Sequence, residues 1–217
     1  MIPKKAHVIW LGGKEIPKKE SHFISKNQEI LKNYQFKIWK DEEIKELIYA
    51  RPSLKEFADY AFENKIYAQL ADLGKLLILE KEGGWTFDTD NEFVKEPDSH
   101  CGYNWVSGFE NYAGRLCPIT AVMAAVPYHK FTKYLISAYE QLDPKYVCHR
   151  PNTEWISNML FNTGVSNNNQ KQYVEVLDLT ILPYSVFCAT KHEEETVSFH
   201  HFSGLWIPNN EEVKRKL

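Results

Sequence analysis

Short apolar runs alternate with helix-forming stretches along this chain, and that alternation does most to limit its fold. Ala6 to Leu11 is apolar and closes on Gly12-Gly13, the pattern of a buried strand ending in a tight turn. Polar helix formers follow from Ser21 to Lys32, and Tyr34 to Trp39 then alternates with period two. Asp41 can cap a helix through Tyr49. Ser53 and Glu56 form a capping box, opening helical sequence that breaks near Asn64 and reaches Lys81, where Gly83-Gly84 stops it. Further strands are predicted at Trp85–Val94, Tyr103–Phe109, Leu116–Val126, Tyr173–Leu179 and Thr196–Phe202, with helices at His129–Leu142 and Asn152–Phe161. Such an order predicts an α/β fold: a mixed, mostly parallel sheet with helices on both faces, in a single domain over residues 1–217.

Composition removes several classes of function. With 43% hydrophobic and 14% aromatic residues the chain can build a core. Its 26 basic and 29 acidic residues, and a pI near 6.3, leave no basic footprint for a nucleic acid backbone. The longest apolar run, Ala121 to Val126, is far short of the roughly 20 residues that span a bilayer. A cytoplasmic location is therefore expected, with peripheral association at the inner face of the membrane left open. Cys101, Cys117, Cys148 and Cys188 form no Cys-x-x-Cys pair and are expected to be reduced and structural.

The chemistry collects in three places. Gly83-Gly84-Trp85-Thr86-Phe87-Asp88-Thr89-Asp90 ends in two acids which, on an extended chain, share a face. Paired carboxylates suit a hard divalent cation that leaves positions open for phosphate oxygens, as Mn²⁺ and Mg²⁺ do. Leu70 to Leu79 is apolar nearly all round yet carries Asp72 and Lys75 on one face, either as a mutual pair or as contacts to a polar ligand. His200-His201-Phe202-Ser203-Gly204-Leu205-Trp206 offers metal-ligating imidazoles and an indole N–H donor. Trp10, just before a glycine turn, presents a flat surface suited to a base. Tyr103, Trp105, Tyr112, Asn152, Glu154 and Trp155 supply groups of the kind that bind an acceptor sugar.

In this order, Ala6 to Gly13, Ala71 to Lys75, Gly83 to Asp90 and His200 to Trp206 resemble the sugar-binding-region glycosyltransferases with a DXD motif. That group is glycosyltransferase family 32, which includes bacterial capsule and lipopolysaccharide transferases and yeast mannosyltransferases, with the clostridial glucosylating toxins as distant relatives. The resemblance implies a GT-A-type, Rossmann-like fold and retaining hexose transfer from a nucleotide sugar to a saccharide or lipid-linked saccharide acceptor. It further implies that Ile9 and Trp10 meet the nucleobase, a UDP-sugar being favoured because Trp10 is similar to a uracil-stacking residue. Asp72 would hold donor hydroxyls, Asp88 the ribose and metal shell, Asp90 the metal, His201 a further metal position, and Trp206 the diphosphate. Lys75 stands where the family usually has arginine, Thr86 where tyrosine is common, and Leu205 where serine often precedes the last tryptophan.

Two other classes share parts of this pattern. Haloacid-dehalogenase-like phosphohydrolases carry an Asp-x-Asp, but after an apolar strand and continuing into threonine, whereas here Gly83-Gly84 precedes it and Asn91-Glu92 follows. A non-catalytic carbohydrate-binding module would suit six tryptophans and 12 tyrosines, yet such modules are usually all-β, unlike a chain with a long buried helix at Asp72.

Overall fold

The computed structural model describes residues 1–205 apart from Ala113, Thr120 and His149. Its elements in chain order are β1 (Lys5–Ile9), α1 (Lys18–Ile30), β2 (Gln35–Trp39), α2 (Asp41–Tyr49), α3 (Lys55–Glu63), α4 (Tyr67–Glu82), β3 (Gly84–Thr86), β4 (Asn91–Phe93), β5 (Trp105–Gly108), β6 (Glu110–Tyr112), β7 (Arg115–Cys117), β8 (Met123–Ala125), α5 (Lys130–Gln141), α6 (Pro144–Cys148), α7 (Asn152–Asn162), β9 (Gln172–Val174), β10 (Leu179–Leu182), α8 (Tyr184–Phe187) and β11 (Ser198–His200). Seven strands form the central sheet in the order β2, β1, β3, β8, β5, β10, β9. All point one way except β8 and β9, which run antiparallel to their neighbours. Small antiparallel pairs, β4 with β11 and β6 with β7, stand beside it.

Alternation along the strands fills both faces. Ile9, Trp105, Met123, Ala125, Leu179 and Ile181 pack with α2 to α5 and α7, while Ala6, Val8, Val106, Ala124 and Leu182 pack with α1 and α8. The expected α/β sheet with helices on both faces is therefore present. Among the described residues no helix is long and apolar enough to cross a membrane, and all four cysteines are free and buried.

Two glycines allow close approaches, one of α4 to the sheet and one between strands. A Cβ on Gly74 would stand 3.0 Å from Ile9 Cδ1 and 3.1 Å from Ile44 Cδ1, so glycine lets α4 lie close against β1 and α2. Gly84, at φ +94°, starts β3 where a Cβ would meet the Lys5 carbonyl at 2.7 Å.

Several expected boundaries shift for identifiable reasons. The run Trp85–Val94 is two strands, β3 and β4, because the chain turns between them: the Asn91 N–H donates to the Asp88 carbonyl at 3.1 Å and the Asp88 N–H to Asn91 Oδ1 at 3.2 Å. Pro118, which has no N–H for a ladder, separates β7 from β8 within Leu116–Val126. A turn at Val174–Asp178, with Asp178 at φ +54°, divides β9 from β10. Ser53 does not cap α3; its hydroxyl donates to Glu140 instead, 2.8 Å away.

His7 ties this half of the sheet together as a neutral ring. It is buried, its Nδ1 accepts from Trp39 Nε1 at 3.2 Å, and its Nε2 lies 3.1 Å from the Gly83 carbonyl, to which it donates. Burial lowers its pKa from the usual 6.5 to about 4. The folded pKa lies below the unfolded one, so stability is full above pH 6.5 and falls by about 3 kcal/mol as the pH drops to about 4. An NMR titration of the His7 ring checks this; a midpoint near the unperturbed value would contradict it.

Candidate active site

The Asp88–Asn91 turn sits at the carboxyl end of β3, beside the end of β1, where the Phe87 N–H donates to the His7 carbonyl at 3.3 Å. Carboxyl ends of parallel strands are where open α/β sheets bind ligands. Asn27 on α1 braces the turn from the side. Its amide donates to the Asn91 carbonyl and accepts from the Phe93 N–H, both at 2.8 Å.

Two elements bring titratable groups to this turn. From α4, Lys75 is only 3% exposed and pairs with both Asp72, at 3.0 Å, and Asp88. The two alternatives for the helix acid and base are thus joined: they pair with each other, and Lys75 also reaches into the motif. Burial disfavours the ammonium charge, but Asp88 and Asp72 outweigh it and raise the Lys75 pKa. Burial lifts the Asp72 carboxyl above the usual carboxylate range, against the pull of Lys75.

From β11, His200 points Nε2 at Asp90 Oδ1, 3.4 Å away, and at Asp88 Oδ2, 4.0 Å away. Its other nitrogen, Nδ1, faces Glu110 Oε2 at 3.4 Å. Burial works against an imidazolium, yet Asp90, Cys188 and Glu110 raise the His200 pKa well above 6.5. Asp90 is buried, which opposes its charge, but His200 and the Ser203 N–H, donating to Oδ2 at 2.7 Å, hold its carboxyl below the usual range. One donor atom each of Asp88, Asp90 and His200 lies within 4.8 Å of the others.

The structure thus gathers Asp72, Lys75, Asp88 and Asp90, and it brings His200 rather than His201 to the two acids of the motif. His201 turns the opposite way, as consecutive residues at a strand end do. Its Nε2 lies 2.8 Å from Glu92 Oε2, and its ring stacks on Phe23 with centroids 4.2 Å apart. Antiparallel pairing of β11 with β4, in which His200 is opposite Asn91, selects the ring that meets the acids. The pairing of Asp88 and Asp90 is also achieved differently from the expectation, by a turn rather than an extended strand.

The remaining predicted residues are scattered. Ile9 packs its side chain in the core against α4. Trp10 is half-buried on a cleft of about 330 Å³ that Lys14, Lys40 and Asp41 also line, with its indole N–H donating to the Lys14 carbonyl at 2.7 Å. Asp41, rather than only starting α2, accepts from the N–H groups of Gly12 and Gly13 at 2.9 and 3.3 Å and so fixes the turn after Trp10. Trp206 lies outside the described residues. Trp105 and Trp155 are buried in the core.

Sequence reading missed Glu110, Cys188 and Ser203. They come from positions far apart in the chain, and no local spacing marks them as neighbours of His200.

Residues 17–106 match the model for the glycosyltransferase sugar-binding region containing a DXD motif. That match covers less than half of the chain, and the likeness to the sugar transferases is one of this region. The match spans Asp72, Lys75, Asp88 and Asp90, and the Asp88-Thr89-Asp90 run within it has the Asp-x-Asp form that the description names. A solved structure, the PaToxG glycosyltransferase, is similar at a TM-score of 0.55 and 22% identity, over 74% of this chain and 69% of that one. At that identity the likeness supports the fold, a glycosyltransferase α/β architecture. No curated protein matches the chain.

Proposed function

We propose that this sugar transferase moves a hexose from a nucleotide sugar to a saccharide or lipid-linked saccharide acceptor, with retention of configuration and with a divalent cation at Asp88, Asp90 and His200. The observation that carries this reading is the convergence of those three donors within 4.8 Å. Four carboxylates, Asp72, Asp88, Asp90 and Glu110, surround one lysine and one histidine, and such an excess of negative charge favours a bound cation. The donor set of two oxygens and one imidazole nitrogen fits Mn²⁺ best and Mg²⁺ less well.

Bound there, the ion would offset the charge that builds on the leaving diphosphate. Asp90 and His200 would hold it directly, with Glu110 taking the Nδ1 proton's hydrogen bond so that Nε2 keeps its lone pair for the metal. Lys75 fixes the Asp88 carboxylate and sets Asp72 one helical turn away, where its outer oxygen can accept from donor hydroxyls and orient the ring. The departures from the family pattern bear on this: Lys75 presents a point charge in place of arginine's planar fork, so its first task here is positioning Asp88. Trp10 offers the stacking face for the base, and uridine is the favoured base. A role in bacterial capsule or lipopolysaccharide synthesis follows from the resemblance alone, and the single-domain extent of 1–217 from chain length and the order of elements.

A thermal-shift panel of nucleotide sugars tests the reading. A UDP-hexose at a hundredfold over its Kd should stabilise the protein by about 2.7 kcal/mol with Mn²⁺ present and far less without it. Equal shifts with and without the ion would contradict the proposal.

A further inference from the structure

On the far side of His200 a second set of donors converges. The Cys188 thiol and the Glu110 carboxylate meet this imidazole, one donor atom of each within 4.8 Å of the others. Glu110 Oε2 is 3.4 Å from Nδ1, which is fully buried. Glu110 and Cys188 are themselves 7% and 2% exposed. The three come from separate elements, at the start of β6, just after α8 and at the end of β11. Sulfur, oxygen and nitrogen donors at such range are the set that selects a borderline, thiophilic ion over Mn²⁺ or Mg²⁺.

We infer that Glu110, Cys188 and His200 form a second cation site, suited to Zn²⁺, whose occupation excludes a cation from the Asp88–Asp90–His200 site. The exclusion rests on the metal reading above; the second site does not. Exclusion follows from the imidazole itself. A neutral ring has one protonated and one unprotonated nitrogen. With the proton on Nδ1, toward Glu110, Nε2 is free for the ion held by Asp88 and Asp90. When Zn²⁺ takes Nδ1, the proton there leaves to solvent, Nε2 keeps its own proton and donates it to Asp90 Oδ1 at 3.4 Å, and the Cys188 thiol also releases its proton to solvent. His200 thus serves one ion or the other. At ordinary Zn–S and Zn–N distances, ligand atoms lie about 3.3 to 3.8 Å apart, so the group needs only a small closing movement. A transferase built this way is switched off by thiophilic metal ions through a site that touches neither donor nor acceptor.

The test uses the full chain, with Co²⁺ as a visible substitute for Zn²⁺ and Mn²⁺ binding followed by electron paramagnetic resonance. Co²⁺ should produce a thiolate-to-metal charge-transfer absorption that Zn²⁺ bleaches. Cys188→Ser should lack the absorption while keeping Mn²⁺ affinity and Mn²⁺-dependent transfer. With Mn²⁺ in large excess, one equivalent of Zn²⁺ should displace Mn²⁺ from the parent and much less from Cys188→Ser, where Zn²⁺ competes only directly at the Asp88–Asp90–His200 site. Should the serine variant fold poorly by circular dichroism, Cys188→Ala supplies the same comparison with a smaller apolar group. Absence of the absorption, or its persistence in the Cys188 variant through Cys101, Cys117 or Cys148, would overturn the second site. Unchanged Mn²⁺ affinity with Zn²⁺ bound would overturn the exclusion. Failure of Mn²⁺ to bind when no Zn²⁺ is present would overturn the catalytic-site reading and the exclusion with it, while the thiolate absorption still decides the second site by itself.

Discussion

Asp90→Asn is expected to lower sugar transfer by about a thousandfold or more and to leave the melting temperature close to that of the parent. The substitution keeps the shape of the side chain, and one amide oxygen can still accept the Ser203 N–H that now reaches Oδ2 at 2.7 Å. What it removes is the charge that faces His200 Nε2 at 3.4 Å. In the proposed mechanism that charge secures the cation, and loss of one group that stabilises developing charge costs about two to three orders of magnitude by itself. Folding should be spared, because Asp88 and Glu110 remain to face His200 and one carboxylate fewer crowds the site. Steady-state rates at saturating donor and Mn²⁺, with a thermal melt of the same sample, check both halves. Retention of more than a tenth of the parent rate would count against a role for Asp90 in the chemistry.

Lys75→Met is expected to cost stability as well as activity. Lys75 is 3% exposed, and its ammonium serves two carboxylates, Asp72 and Asp88. Removing one partner of a buried ion pair leaves uncompensated charge, at about 3 to 5 kcal/mol. The Asp88 side chain is 39% exposed and can still be hydrated, which puts the expected loss near the lower end, about 3 kcal/mol. Lys75→Arg, which restores the family's usual residue, should recover most of that stability. Urea denaturation of the three proteins decides the matter. A methionine variant as stable as the parent would mean that the two aspartates do not depend on Lys75 for their charge balance.

Much of this was legible in local sequence. The order from β1 to α4 follows from apolar periodicity and from glycine punctuation, both of which act over a few residues. Asp72 and Lys75 stood out because an otherwise apolar helix does not carry charges without partners, and the Asp88-Thr89-Asp90 motif identified itself. The failures share a cause. Whether His200 or His201 meets the acids depends on the register between β11 and β4, which are more than a hundred residues apart in the chain, and a one-residue slip exchanges the two rings. Glu110 and Cys188 reach His200 only through the packing of β6 and α8 beside β11. The turn that breaks Trp85–Val94 depends on the Asn91 side chain, whose bond to the Asp88 N–H outweighs the strand preference of the aromatic residues around it. Trp105 and Trp155 give their large apolar surfaces to the core.

Calorimetric titration of Mn²⁺ with uridine diphosphate present, into the parent, His200→Ala and His201→Ala proteins, bears most directly on the metal site. One ion per chain is predicted for the parent, with affinity reduced at least about tenfold in His200→Ala and unchanged in His201→Ala. No heat of binding in the parent, or a loss confined to His201→Ala, would contradict the assignment of Asp88, Asp90 and His200.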